Sequence, residues 1–210
     1  MRAVRIEGPA DVRLVEVPVP EPAPGESLVR VGAASACGTD LRMARLGSHA
    51  PRVPGHEVAG WLPDGTPVGV HPNLGCGACP ACAAGLENRC PDHVDVGIQR
   101  DGGLAETVAV PTSHLVPLGD LPVDLAPLVE SLACVLHAND LLGVGADTAG
   151  VVVGAGSIGV LGAWAMRAVG ARVVVVQRSP ARRELARSLG IDAIGPQDDP
   201  ARTLGEAPGA

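Results

Sequence analysis

The chain has 210 residues, with 16 basic residues, all arginine, against 23 acidic ones, for a formal charge of −7; 46% of it is hydrophobic, and it contains no Phe or Tyr. That length supports one large or two small domains whose cores need no disulfide staples, and the acidic balance excludes the concentrated basic surface that nucleic acid demands. The opening MRAVRIEGPADVRLVEV alternates charged and apolar side chains, so neither a secretory leader nor a membrane span is expected, and in the implied cytoplasm dense cysteines bind metal rather than pair.

Residues 1 to about 120 hold short alternating stretches, such as VRLVEV and SLVRV, between Pro and Gly turns, and predict a compact β-barrel-like domain. Within it, ACGTD places Cys37 three residues before Asp40, and VPGHEVAG supplies His56 and Glu57 beside Gly55. A thiol, an imidazole and a carboxylate from separate segments suit a catalytic zinc that keeps one position open. Taken singly, Cys37 reads as a small buried residue and His56 as a core histidine. Thr39 reads as the cap of a helix starting near Asp40, and Asp40 itself as a surface N-cap.

Next comes GCGACPACAAGLENRC, in which Cys76, Cys79, Cys82 and Cys90 follow C-x2-C-x2-C-x7-C. Short x2 spacings aim several thiolates at one point, and four of them close a tetrahedron, which predicts structural zinc; an iron–sulfur cluster is the chemical alternative. His49, His71, His93 and His114, flanked by Pro, Asp or Ser, read as loop residues without a role. A helical linker is expected over 121–142, with Cys134 and His137 packed in the core.

From 143 to 210 the pattern is α/β, with strands near 150–154, 172–177 and 192–195 alternating with two helices. Val151 to Val153 predict a buried strand, followed by GAGSIG. In this strand–turn–helix setting Gly154 permits the tight turn, Gly156 lets the backbone approach a pyrophosphate, and Gly159 allows close helix packing. Ser157 and Ile158 open the helix whose first amides would hold that group. Where NAD-selective sites carry an acid at the end of the second strand, this chain has Gln177, followed by Arg178, with Arg182 and Arg183 soon after. Loss of the carboxylate and gain of guanidiniums favour NADP over NAD; the competing reading is a solvated helix face.

In this order, the motifs CGTD, GHE, the four-cysteine lobe, DGGLAETVAVP, LVESLACVLHA and GAGSIG resemble those of the zinc-containing medium-chain alcohol and polyol dehydrogenases, nearest the sorbitol, threonine and glucose dehydrogenase branch. The resemblance implies an α+β then α/β chain: a GroES-like β-barrel domain over 1–120, a linker over 121–142, and a partial Rossmann (doubly wound parallel) domain over 143–210. It implies one catalytic and one structural zinc. Cys37, His56 and Glu57 would hold the catalytic ion, with Glu130 a ligand or a partner of its water. Thr39 would relay the alcohol's proton and Asp40 would orient His56. The substrate would be a small alcohol or polyol, and the partner a homo-oligomer or a complementing polypeptide.

Three departures from the family accompany these matches. Ser131 replaces a proline after Glu130, only WLPDGTPVG separates Gly60 from Val70, and a polar tail, DDPARTLGEAPGA, follows the third strand. The alternative reading is therefore a truncated, non-catalytic relic that binds zinc and nucleotide, or an interaction protein.

Overall fold

The structure is a computed structural model and describes residues 1–205; the end of the polar tail, within the expected nucleotide-binding segment, lies outside the described residues. The chain divides after Glu130 into two compact units.

In the first unit, β1 (Arg2–Gly8) and β2 (Asp11–Glu16) form a hairpin. β3 (Glu26–Ser35) leads into α1 (Gly38–Leu46), and β4 (Glu57–Trp61) turns back through β5 (Pro67–Val70). The short WLPDGTPVG stretch is a tight antiparallel hairpin that pairs Trp61 with Pro67 and Ala59 with Gly69. A lobe follows, comprising β6 (Asn73–Leu74), the one-turn α2 (Pro80–Ala83), a 3-10 turn at Glu87–Arg89 and β7 (Val94–Asp95). β8 (Thr107–Pro111) and β9 (Leu115–Pro117) complete a curled antiparallel sheet of order β8-β3-β4-β5-β9. Its core is valine: Val29, Val58, Val68, Val70, Val96, Val108 and Val110. β-branched side chains both favour the extended backbone and fill the narrow space that larger rings would overpack. This is the GroES-like half-barrel.

α3 spans Leu128–Leu142, so the helix is shorter than the expected linker of 121–142. Pro122 and Pro127 lack amide donors, and the stretch before Leu128 is turns. The buried positions of α3 are Ser131 and Val135, one helical turn apart. Cys134 and His137, expected in the core, are instead exposed, because the apolar run is longer than the stripe that the helix buries.

In the second unit, β10 (Ala149–Val153), α4 (Ser157–Ala168), β11 (Arg172–Val176), α5 (Pro180–Ser188), β12 (Ala193–Ile194) and α6 (Pro200–Leu204) build a parallel sheet of order β10-β11-β12. Val160 and Ala163 of α4 pack with Val173 and Val175 of β11, Ala186 of α5 and Ile191. This is a partial Rossmann unit. Its first strand is not buried as expected: Val151 and Val153 are exposed, Val153 by 85%. β10 is an edge of the sheet, and its residues alternate between a face covered by α4 and one left open. Among the described residues no helix is long and apolar enough to cross a membrane.

Candidate functional site

β3 and β4 run antiparallel with Ser35 opposite Glu57. The end of one strand and the start of the next therefore deliver Cys37, His56 and Glu57 to a common point. One ligand atom from each lies within 4.8 Å of the other two. His56 and Glu57 are each only 6% exposed, and Ser35 Oγ donates a hydrogen bond to Glu57 Oε2. The turn before His56 depends on Gly55, which has φ +101° and whose hypothetical Cβ would sit 2.7 Å from the Leu104 amide nitrogen. No side chain fits there without moving the backbone.

Asp40 braces this group from behind. Its Oδ2 accepts from the Cys37 amide at 2.8 Å and its Oδ1 from the Gly55 amide at 3.2 Å; the same Oδ1 lies 3.7 Å from His56 Nδ1. Asp40 is 5% exposed, so the surface-cap reading is corrected: it caps α1 from inside, tying together the two segments that carry the donors. Cys37, not Thr39, is the N-cap of α1, and Thr39 lies in the helix's first turn, half-buried.

The donor set fits a zinc ion. A thiol, an imidazole and a carboxylate whose donor atoms all lie within 4.8 Å of one another make a three-ligand set that leaves a fourth position open. Glu130, in the first turn of α3, is not a member of that close set. Its carboxyl is nevertheless pushed above its usual pKa, first by burial and then by Glu57 and Asp95, with His56 opposing. Asp95, which nothing in the sequence singled out, lies 3.0 Å from His93 Nε2; burial raises its pKa, while His93, His56 and His71 oppose the rise.

In the lobe, one sulfur from each of Cys76, Cys79, Cys82 and Cys90 lies within 4.8 Å of the others, and Cys79 Sγ is 3.5 Å from Cys82 Sγ. A zinc–thiolate tetrahedron with arms of about 2.3 Å has edges of about 3.8 Å, so the set fits a closed metal site. The amides of Ala78 and Cys79 draw the Cys76 thiol down to about 7, whereas burial, with the neighbouring thiols, pushes Cys82 up to about 12.

Two histidines read as loop residues meet beside this lobe. The rings of His71 and His114 stack with centroids 5.4 Å apart. Burial, and then the neighbouring His114, holds the His71 imidazole below its usual pKa.

In the second unit, Gly154 adopts φ +103°, and a Cβ on Gly159 would collide with the Gly154 carbonyl oxygen. Gly156 is the N-cap of α4 and offers no side chain to its first amides, which leaves those donors and the helix dipole for an anion. Ser157 and Ile158 begin this helix, and Ile158 with Gly154, Gly156 and Gly159 lines a cavity of about 650 Å³. At the end of β11, Gln177 Oε1 accepts from the Ser179 amide at 3.0 Å. Arg183 is committed to the carbonyls of Gln177 and Arg178. Arg178 and Arg182 are exposed, and their guanidiniums form no ion pair among the described residues.

Residues 23–120 match the family described as "Alcohol dehydrogenase GroES-like domain". The D-altritol 5-dehydrogenase of Agrobacterium fabrum is 36% identical over 209 residues, covering 91% of this chain and 62% of that protein. The crystal structure of galactitol-1-phosphate dehydrogenase from Escherichia coli superposes with a TM-score of 0.87 at 29% identity, covering 94% of this chain and 61% of that one. A Sinorhizobium meliloti 1021 protein solved bound to NADP gives 0.85 at 35% identity, covering 93% and 61%. The chain thus spans about three fifths of the length of the curated relatives it matches. With the half-barrel, the parallel nucleotide-type sheet and these relatives in agreement, the chain belongs to the zinc-containing medium-chain alcohol and polyol dehydrogenase family.

Proposed function

We propose that the chain is the metal- and nucleotide-binding part of an oxidoreductase that moves hydride between a secondary alcohol or polyol and a nicotinamide cofactor, NADP in preference to NAD. The observation that carries this reading is the convergence of Cys37, His56 and Glu57 within 4.8 Å, braced by the buried Asp40. A zinc ion held there would act as a Lewis acid toward the alcohol oxygen and lower its pKa. Asp40 fixes the thiol- and imidazole-bearing segments, and its position beside His56 is that of the carboxylate that orients a ligating imidazole. A nicotinamide cofactor bound beside this site would accept hydride from the alcohol carbon, and Thr39, half-buried in the first turn of α1, would pass the hydroxyl proton outward. Glu130, outside the close set of three, would add a second carboxylate, as a fourth ligand or as a partner of the water at the open position. In the lobe, Cys76, Cys79, Cys82 and Cys90 hold a second, structural zinc.

On the nucleotide side, Gly154, Gly156 and Gly159 with the amides of Ser157 and Ile158 would hold a pyrophosphate. Gln177, Arg178 and Arg182 would hold the adenosine ribose and a 2′-phosphate. In functional terms residues 1–120 carry the metals, 121–142 the linker and 143–210 the nucleotide.

The test is metal content together with nucleotide titration. Cys37→Ser is expected to lose one zinc equivalent, the one that chelators strip first in the wild type, while NADPH binding persists. Unchanged zinc content in that variant sinks the reading.

A further inference from the structure

The proposed chemistry leaves His71, Glu87 and His114 unused, and the fold brings them together from three segments. His71 follows β5 and His114 precedes β9, strands that pair antiparallel with Val70 opposite Leu115. The His71 amide donates to the His114 carbonyl at 2.8 Å, extending that ladder and making the two imidazoles cross-strand neighbours. Glu87 arrives from the lobe, in the 3-10 turn between Cys82 and Cys90. Its stem occupies the space left by Gly75, where a Cβ would come within 3.2 Å of Glu87 Cβ and Cγ.

One donor atom from each of the three side chains lies within 4.8 Å of the other two. Glu87 Oε2 is 3.5 Å from His114 Nε2, which matches the donor–donor edge of about 3.3–3.6 Å set by tetrahedral arms of about 2.0–2.2 Å. Ser113 Oγ lies 3.0 Å from His114 Nδ1, so the other ring nitrogen is already partnered, as in most metal-bound imidazoles. A bare histidine–glutamate pair would explain the 3.5 Å approach but not the second imidazole stacked on the first.

We propose that His71, Glu87 and His114 form a third metal site. Two imidazole nitrogens and one carboxylate oxygen suit borderline divalent cations, zinc above all, and water can fill the remaining positions on the exposed His71 side. Glu87 belongs to the lobe and the two histidines to the β5–β9 edge, so the ion clamps the four-cysteine lobe onto the half-barrel. The role is structural and independent of hydride transfer.

The experiment uses the full chain, with metal content measured after equilibration against buffered micromolar zinc. The wild type is expected to hold one equivalent more than His71→Ala/His114→Ala, and the additional ion, exchanged for cobalt(II), to lack a thiolate-to-cobalt charge-transfer band. Glu87→Gln keeps both imidazoles and the lobe's shape, and should weaken this equivalent at least tenfold; it carries the test if the double variant fails to fold. Equal zinc content in wild type and both variants, which leaves only a His114–Glu87 ion pair, overturns the proposal. Full affinity in Glu87→Gln overturns the clamp. Cys37→Ser must leave this equivalent intact, which separates the result from that of the catalytic-metal reading.

Discussion

Individual residues in this chain do more than one task. Asp40 caps α1, holds Gly55 and stands beside His56, so one carboxylate sets the distance between the segments that supply the thiol and the imidazole. At the other end of the proposed chemistry, the proposed preference for NADP would rest on Gln177, Arg178 and Arg182. Arg183 is held by two backbone carbonyls, whereas Arg178 and Arg182 are exposed and form no ion pair among the described residues. A charge-assisted bond contributes about 1.5–3 kcal/mol, which corresponds to about a tenfold or greater preference. NADPH should therefore bind at least about tenfold more tightly than NADH, and Gln177→Asp with Arg178→Leu should reverse the order in a fluorescence titration. Equal affinities in the wild type would remove these residues from the ribose site.

Among the elements, the half-barrel is closed by strand pairs and by a few charged struts. Arg100 reaches Glu26 at 2.8 Å and donates to the Ala109 carbonyl at 2.9 Å, joining the start of β3 to β8 and the loop that precedes it. Burial works to raise the Glu26 carboxyl, yet the bonds from Arg100 and the Ala23 amide outweigh it and hold the carboxyl below its usual pKa. A depressed carboxylate contributes stability that is present above its unfolded pKa and is lost as pH falls through the folded one. Arg100→Ala should accordingly cost about 1–3 kcal/mol near pH 7, with the difference from wild type shrinking below about pH 4. Denaturant melts at both pH values check this, and a cost that persists undiminished in acid would assign Arg100 a packing role alone.

Among the described residues three clusters of candidate metal donors lie in the first unit and the glycine turn lies in the second, and the chain covers 62% of its D-altritol 5-dehydrogenase relative. Within the second unit the three strands hold the glycine turn and both strand ends that an adenosine half requires, while the outer edge of β10 is unpaired among the described residues and Val151 and Val153 are exposed. Holding a nicotinamide ring in a near-attack geometry accounts for about 7–11 kcal/mol of barrier reduction, and that ring normally lies at the strand-order reversal beyond the first strand. The 210-residue chain is expected to bind NADPH yet oxidise simple secondary alcohols and polyols very slowly. Fusing or adding in trans a segment that continues the sheet at β10 should raise kcat by orders of magnitude. An absorbance assay showing robust turnover by the chain alone would overturn this.

By itself the sequence determined the parts whose residues are neighbours along the chain. Four thiols within GCGACPACAAGLENRC can reach one ion through local turns, and GAGSIG between two apolar runs can form only one kind of strand–turn–helix, so the lobe and the second unit were legible from spacing. Cys37 and His56 lie farther apart; with Glu57 they suggested a thiol, imidazole and carboxylate set by residue type alone, and resemblance to a family added the individual roles. Tertiary structure decided the rest. Strand register placed Ser35 against Glu57 and His71 against His114, and the fold of the lobe carried Glu87 to that pair. The sheet edge left Val153 in water although its composition reads as core. Burial and long-range proximity depend on which strand lies beside which, and no local pattern of side chains records that.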